Sequence, residues 1–436
     1  MKHKENHLKR LTERLIFLFI LAGALALFNG CETLDFPNPN APVVEDVPVS
    51  SLVTGIEAGM RTNLAIYLRV VSIVGREAYY FEPADPRYTG ELLFNTPDPG
   101  GFLLNRPWGG RYQTVKDCRF LLDKATAELS GAEQAGANGF AKTIMAYQLL
   151  LNLNLTNDNG IQLDFSGNFA PFSAKDASFN FIESMLDEGA SDLRNAGASF
   201  SFTLSSGFDG FNTPADFLKF NRAIRARVAV YQGKWDDALA ALKESFLDVG
   251  APMSLGVYHV YGTGLGDQLN DIFESTSAPF VKLNAHPSFG ADAEPGDLRF
   301  SSKVFKRPEA ETFDNLTTDL QVAITQTSTD KIPIIRNEEL ILLRAEANIG
   351  NGNFGDAETD INVVRAAAGL GPVTLTSANA LDQLLHEKRY SLFLEGHRWI
   401  DLRRYGRLNS TYVPLDRPDT DDYLIQFPKP ESEVSG

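Results

Sequence analysis

Four charged residues recur at three-residue intervals near the C-terminus: Glu395, Arg398, Asp401 and Arg404. Two carboxylates facing one cleft are what glycoside hydrolysis requires, one as acid and the other as base or nucleophile. On a continuing helix the same spacing sets opposite charges side by side, and ion pairing is then the natural use. Trp399 and Leu402, interleaved with them, point to a surface packed against the rest of the protein. Structural pairing is the favoured reading, and no catalytic residue is assigned.

Other chemistries lack their patterns. Beyond the first thirty residues the histidines are His259, His286, His386 and His397, and none pairs with another at metal-ligand spacing on a helix. Gly262-Thr263-Gly264-Leu265-Gly266 lacks the G-x-G-x-x-G spacing and reads as a flexible loop; neither G-x-S-x-G nor a P-loop occurs. Asp416, Asp419, Asp421 and Asp422 offer oxygens suited to Ca²⁺, but without the EF-hand spacing a solvated charge run is preferred. The sequence predicts no enzyme, no resident metal and no cofactor, with calcium an option rather than a requirement.

Binding chemistry is better supplied. Flat aromatic rings suit the C–H faces of sugars, with polar side chains beside them for the hydroxyls. Tyr79, Tyr80 and Phe81, followed by Asp85, Arg87, Tyr88 and Trp108, form one such group, and Tyr258 with Tyr261 a second. Large rings also serve as core. Both uses stay open for Tyr79, Tyr80, Tyr88, Trp108, Tyr258 and Tyr261.

Composition narrows the class. The chain has 436 residues, 43% hydrophobic and 11% aromatic, which argues against global disorder. A net charge of −16 makes nucleic acid an unlikely partner, since phosphate binding needs a basic field. The start is basic, and an apolar run from Leu15 to Phe28 follows that is shorter than the ~20 residues of a membrane span. Residues 1–30 therefore read as an export signal. Gly30-Cys31 at its end resembles a bacterial lipobox, which predicts acylation of Cys31; ordinary cleavage after Ala24 or Ala26 is the alternative. Residues 31–50, with Pro37, Pro39, Pro42 and Pro48, read as a tether. Cys118 lies in an apolar stretch and reads as a small buried hydrophobe.

The elements that must position these residues are helical. Apolar periodicity predicts helices over about 50–75, 107–129, 138–153 and 178–195, with loops over 82–107 and 156–177. Two later blocks superpose without a gap: Ala226 falls on Ala345, Gly233 on Gly352, Trp235 on Phe354, and Asp237-Ala238 on Asp356-Ala357. Small alanines permit close helix approach, and the glycine makes the turn between two helices. This is tetratricopeptide-like hairpin logic, but the offset of 119 residues (345 − 226) is far from a tandem array of ~34-residue units. A single domain over 51–436 is expected, with hairpins at about 138–195, 214–246 and 333–396 and loop-rich insertions between them.

The segment EKRYSLFLEGHRWIDLRRYG, Glu387 to Gly406, resembles the C-terminal signature of the SusD/RagB family of outer-membrane nutrient-binding lipoproteins. The preceding IPIIRNEELILLRAEANIGNGNFGDAETDINVVRAAAGL resembles the segment that leads into it, with Ala345-Glu346-Ala347, Asn362 and Arg365 at the matching places. LDFPNPNAP and FPKPESE resemble the family's mature start and Pro-rich end. The resemblance implies an all-α fold of tetratricopeptide-like hairpins with a loop-rich capping subdomain. It makes Glu395, Arg398, Trp399, Asp401 and Arg404 part of a structural signature. It also implies a lipid-anchored outer-membrane protein facing the cell exterior, an acidic start at Glu32 and Asp35 acting as the display signal. The implied partners are a glycan or other nutrient and a SusC-like TonB-dependent transporter. A protein-binding tetratricopeptide scaffold on the envelope, and a secreted glycoside hydrolase, are the alternative functions.

Overall fold

Ala226, Ala238, Ala345 and Ala357 are all fully buried, and Gly233 and Gly352 both adopt positive φ, 71° and 76°. The consequence is two hairpins with matching turns. The first comprises helices Pro214–Tyr231 and Trp235–Lys243, the second Asn337–Gly350 and Phe354–Ala367. They pack on each other through Gly350, where a Cβ would stand 2.3 Å from the Trp235 ring. Only a residue without a side chain lets the indole lie this close. Helix Ala380–Ser391 packs on the second hairpin and closes a small core of Ile341, Leu342, Ile361, Val364 and Leu384.

The computed structural model describes residues 47–165 and 170–434. The expected export signal, Cys31 and the expected tether up to residue 46 lie outside them. In chain order the helices are α1 Val49–Gly59, α2 Leu64–Val74, α3 Phe102–Glu128, α4 Gly131–Thr156, α5 Lys175–Arg194, α6 Pro214–Tyr231, α7 Trp235–Lys243, α8 Pro287–Ala291, α9 Leu298–Lys303, α10 Asn337–Gly350, α11 Phe354–Ala367, α12 Ala380–Ser391 and α13 Arg398–Arg404. Among the described residues no helix is long and apolar enough to cross a membrane. Helices α3 to α7 pack each on the next around the main core. Cys118 is completely buried there.

The frame is all-α as expected, and small sheets are attached to it. Strands β1 Ala78–Tyr80, β5 Leu283–Ala285, β7 Leu316–Val322 and β6 Val304–Phe313 form one antiparallel sheet in that order. Asp314 and Asn315, both at positive φ, make the two-residue turn between β6 and β7, a conformation Asp and Asn tolerate. Strands β4 Gly256–His259 and β8 Ile332–Arg336 pair antiparallel, as do the short β2 Ile161–Gln162 and β3 Phe172–Ser173. Three expected boundaries move, one of them the start of α4, at Gly131 and not about 138. The 50–75 helix is broken at residues 60–63, and α3 begins at Phe102 inside the expected loop, because Leu103 and Leu104 are buried at 1% exposure and draw its first turn onto the core.

Candidate ligand-binding site

The break between α1 and α2 creates a cleft. Arg111 on α3 donates to the carbonyls of Met60 and Thr62, satisfying acceptors left at the end of α1. Asn63, at φ 56°, then starts α2, and its side-chain amide donates to the Arg106 carbonyl (3.1 Å), joining the first turns of α2 and α3. From the α1–α2 side, Arg61 donates to the Val260 carbonyl (2.8 Å) and Arg69 to that of Asp271. These two bonds hold the loop 260–271 across the gap.

What remains open is a cleft of about 290 Å³, near the lower end of the ~300–1,000 Å³ typical of small-molecule sites. Tyr88, Phe102 and Tyr261 give it aromatic surface; Arg61, Arg69, Arg106, Gln268 and Asp271 give it hydrogen-bonding groups. Burial pushes the Tyr88 hydroxyl up to about 12, so it stays a neutral donor. A larger depression of about 560 Å³ is lined by Tyr112, Phe120 and Phe165.

Of the six expected rings, only Tyr88 and Tyr261 line this cleft. Tyr80 stands behind it, 4.7 Å from the Tyr88 ring and under the Arg69 guanidinium at 4.4 Å. The other three do not line it. Tyr79 is 2% exposed beside Phe81 and His286; Trp108 is 2% exposed, stacked on Phe172; Tyr258 is 8% exposed, with its hydroxyl on the Ser254 carbonyl and Lys331 over its ring. Their faces already have protein partners. The cleft's three arginines were not singled out in the sequence; Arg61 lies in the break between the helices and Arg69 on α2, so no helical spacing links them.

The charged signature is a buried network that keeps the expected Asp401–Arg404 pair and sends Glu395 and Arg398 to other partners. The chain does not continue as one helix: it turns through Leu394 at φ 62° and Gly396 at φ 85° before α13 begins. Glu395 consequently meets Arg336 (2.8 Å), and Arg398 donates to the Gly75 carbonyl (3.1 Å), not to Asp401. Asp401 pairs with Lys388 and Arg404, both at 2.7 Å; Glu346 takes Lys388 at 2.8 Å and Arg404 at 2.5 Å. Trp399 is buried and donates to the Leu424 carbonyl (2.7 Å). Burial by itself raises a carboxyl, yet Lys388 and Arg404 overcome it and hold Asp401 and Glu346 below the ordinary range. Such carboxylates are fixed anions, unsuited to proton transfer near neutrality.

Possible cation sites are similarly engaged. Asp416 accepts from His286 (2.8 Å), Asp421 pairs with Arg417 (2.8 Å), and Asp422 accepts from Asn95 (3.0 Å), so the acidic run is divided among protein donors. Glu294, His386 and Glu387 come together within metal-ligand reach, but Arg365 pairs with both carboxylates at 2.6 Å and supplies their positive charge.

Glu77 carries a pH prediction. It is 1% exposed, and burial pushes its carboxyl up to about 7 despite the opposing pull of Arg398 and a Leu394 amide bond. The folded state therefore holds this proton more tightly than the unfolded chain. Its contribution is fully present below the unfolded value of 4.5 and is lost as pH rises toward 7. Denaturant unfolding of wild type and Glu77→Gln should give a stability difference, wild type minus variant, that falls across this window by on the order of 3 kcal/mol. A flat difference would refute the assignment.

The fold and site define a class: a helical-repeat frame presenting a loop-walled cleft. Residues 312–432 match the SusD family. Its fold is similar to that of a SusD superfamily protein from Bacteroides vulgatus (16% identity, covering 88% of this chain and 96% of that one, TM-score 0.65). It is also similar to a laminarin-binding SusD-like protein (17%, 89% and 96%, TM-score 0.64). A third similar structure is surface glycan-binding protein A from Bacteroides thetaiotaomicron in complex with laminarihexaose (14%, 88% and 96%, TM-score 0.67). No curated protein matches the chain.

Proposed function

We propose that this is a lipid-anchored protein of the bacterial outer surface that binds an oligosaccharide in the Arg61–Tyr261 cleft and passes it, uncut, to a SusC-like TonB-dependent transporter. The observation that carries the reading is the cleft itself, where aromatic rings and hydrogen-bonding side chains from α2, α3 and the 260–271 loop converge. Two similar structures, one described as laminarin-binding and one bound to laminarihexaose, support a saccharide as ligand. The family supports a cell-surface location, and Cys31 provides the anchor.

Titration calorimetry of the exported chain against a panel of oligosaccharides tests this. Tyr261→Ala should weaken binding about tenfold with an unchanged melting temperature, the loss expected when one ring contact of roughly 1.4 kcal/mol is removed. The sugars should be recovered intact, and a β-barrel should co-purify from membranes. Affinity indifferent to both Tyr261→Ala and Gln268→Ala would remove the cleft from the proposal; new reducing ends would remove the non-catalytic role.

A further inference from the structure

The cleft gathers three guanidiniums in a chain of net charge −16. Elsewhere Arg227, Arg299, Arg336, Arg365 and Arg404 each meet a carboxylate within 2.8 Å. Those at the cleft do not. The Arg61 side chain is 9% exposed and its nearest acidic partner, the half-exposed Asp267, stands 3.9 Å away. Arg69 is also 9% exposed and bonds to a main-chain carbonyl rather than a carboxylate. The Nε of both is buried without a hydrogen-bond partner. Arg106 is exposed on the first turns of α3, and its one recorded side-chain contact among the described residues is the Phe102 ring at 5.4 Å.

A second feature has the same sign. Helices α2 and α3, of 11 and 27 residues, both begin at the cleft, and neither start has a side-chain cap. Their positive ends add to the guanidiniums. The opposing charges include Asp271 on the rim, Asp267 and the buried Glu57 near Arg61, Glu274 near Arg69, and Asp98, which accepts from the Gly100 amide just before α3. Neutral sugar hydroxyls do not repay the cost of desolvating such cations, whereas a planar or tetrahedral anion does.

We propose that the saccharide taken by this cleft is anionic, with a uronate carboxylate or a sulfate ester seated among Arg61, Arg69 and Arg106. The inference rests on the proposed saccharide-binding function of the same cleft and adds the charge class of its ligand.

The exported chain is titrated with trigalacturonate, its carboxyl-reduced neutral counterpart, a sulfated chondroitin disaccharide and laminarihexaose. The carboxylate or the sulfate probe should bind at least about tenfold tighter than the neutral sugars, and which one does so identifies the group. Raising NaCl from about 20 to about 300 mM should weaken the anionic probe and leave the neutral ones unchanged. Arg106→Gln, on an exposed side chain that the fold does not use, should cost the anionic probe about tenfold and the neutral ones clearly less. Neutral sugars binding as tightly as the anionic ones, with Arg106→Gln silent and Tyr261→Ala still weakening them, would overturn the anionic ligand and leave the cleft's function standing. No binding by either anionic probe would also overturn it. If no probe responds to Tyr261→Ala, the saccharide reading fails as well.

Discussion

Asp401→Ala should destabilise the protein by about 3–5 kcal/mol, the range for breaking a buried ion pair by removing one partner. Lys388, Arg404, Glu346 and Asp401 form a closed set of two cations and two anions, and all are buried or nearly so. Deleting Asp401 leaves one surplus positive charge inside. The effect reaches beyond α13, because Glu346 lies on α10 and Lys388 on α12, so the set joins the second hairpin to the helix that follows it. Lys388→Met should cost a similar amount with the opposite surplus. The double variant should lose clearly less than the sum, since Glu346–Arg404 then remains as a balanced pair. Urea unfolding of the three variants measures this coupling. Additive losses, or an Asp401→Ala variant of normal stability that no longer binds saccharide, would contradict the structural role.

Trp108→Ala is the second large effect, about 3–5 kcal/mol for truncating a buried tryptophan. The indole is 2% exposed, stacks on Phe172 at 5.7 Å and leans on Tyr112 at 5.0 Å, so the deletion opens a cavity beneath α3. Trp108→Phe, which retains most of the packing, should bind saccharide like wild type. A Trp108→Phe variant of normal stability with lost binding would put the indole back among ligand-contacting rings. Tyr261→Ala should show the reverse pattern, with affinity lost and stability kept.

Much of the frame was legible in the chain because its signals are local. Gly233 and Gly352 announce their turns by their type, and the alanines around them announce close helix contact, so both hairpins could be drawn before any coordinates existed. The β6–β7 ribbon could have been found too: Asp314-Asn315 between two strand-like segments is a short-range turn signal that the helical pattern around it outweighed. The signature was legible as a block of charge, but its wiring was not. Leu394 and Gly396 break the helix, and that break sends Arg398 to Gly75 and Glu395 to Arg336 instead of to their neighbours in sequence.

The chain alone thus determined the class of fold, the helical hairpins and the absence of any recognisable catalytic motif, since each depends on residue type at short spacing. Which aromatic rings are available to a ligand, which carboxylates meet which cations, and the gathering of Arg61, Arg69 and Arg106 around one opening were decided only by tertiary structure. Those contacts join residues up to hundreds of positions apart. Whether a ring borders an opening, the property that separates a binding ring from a core ring, belongs to the packed molecule and not to the residue.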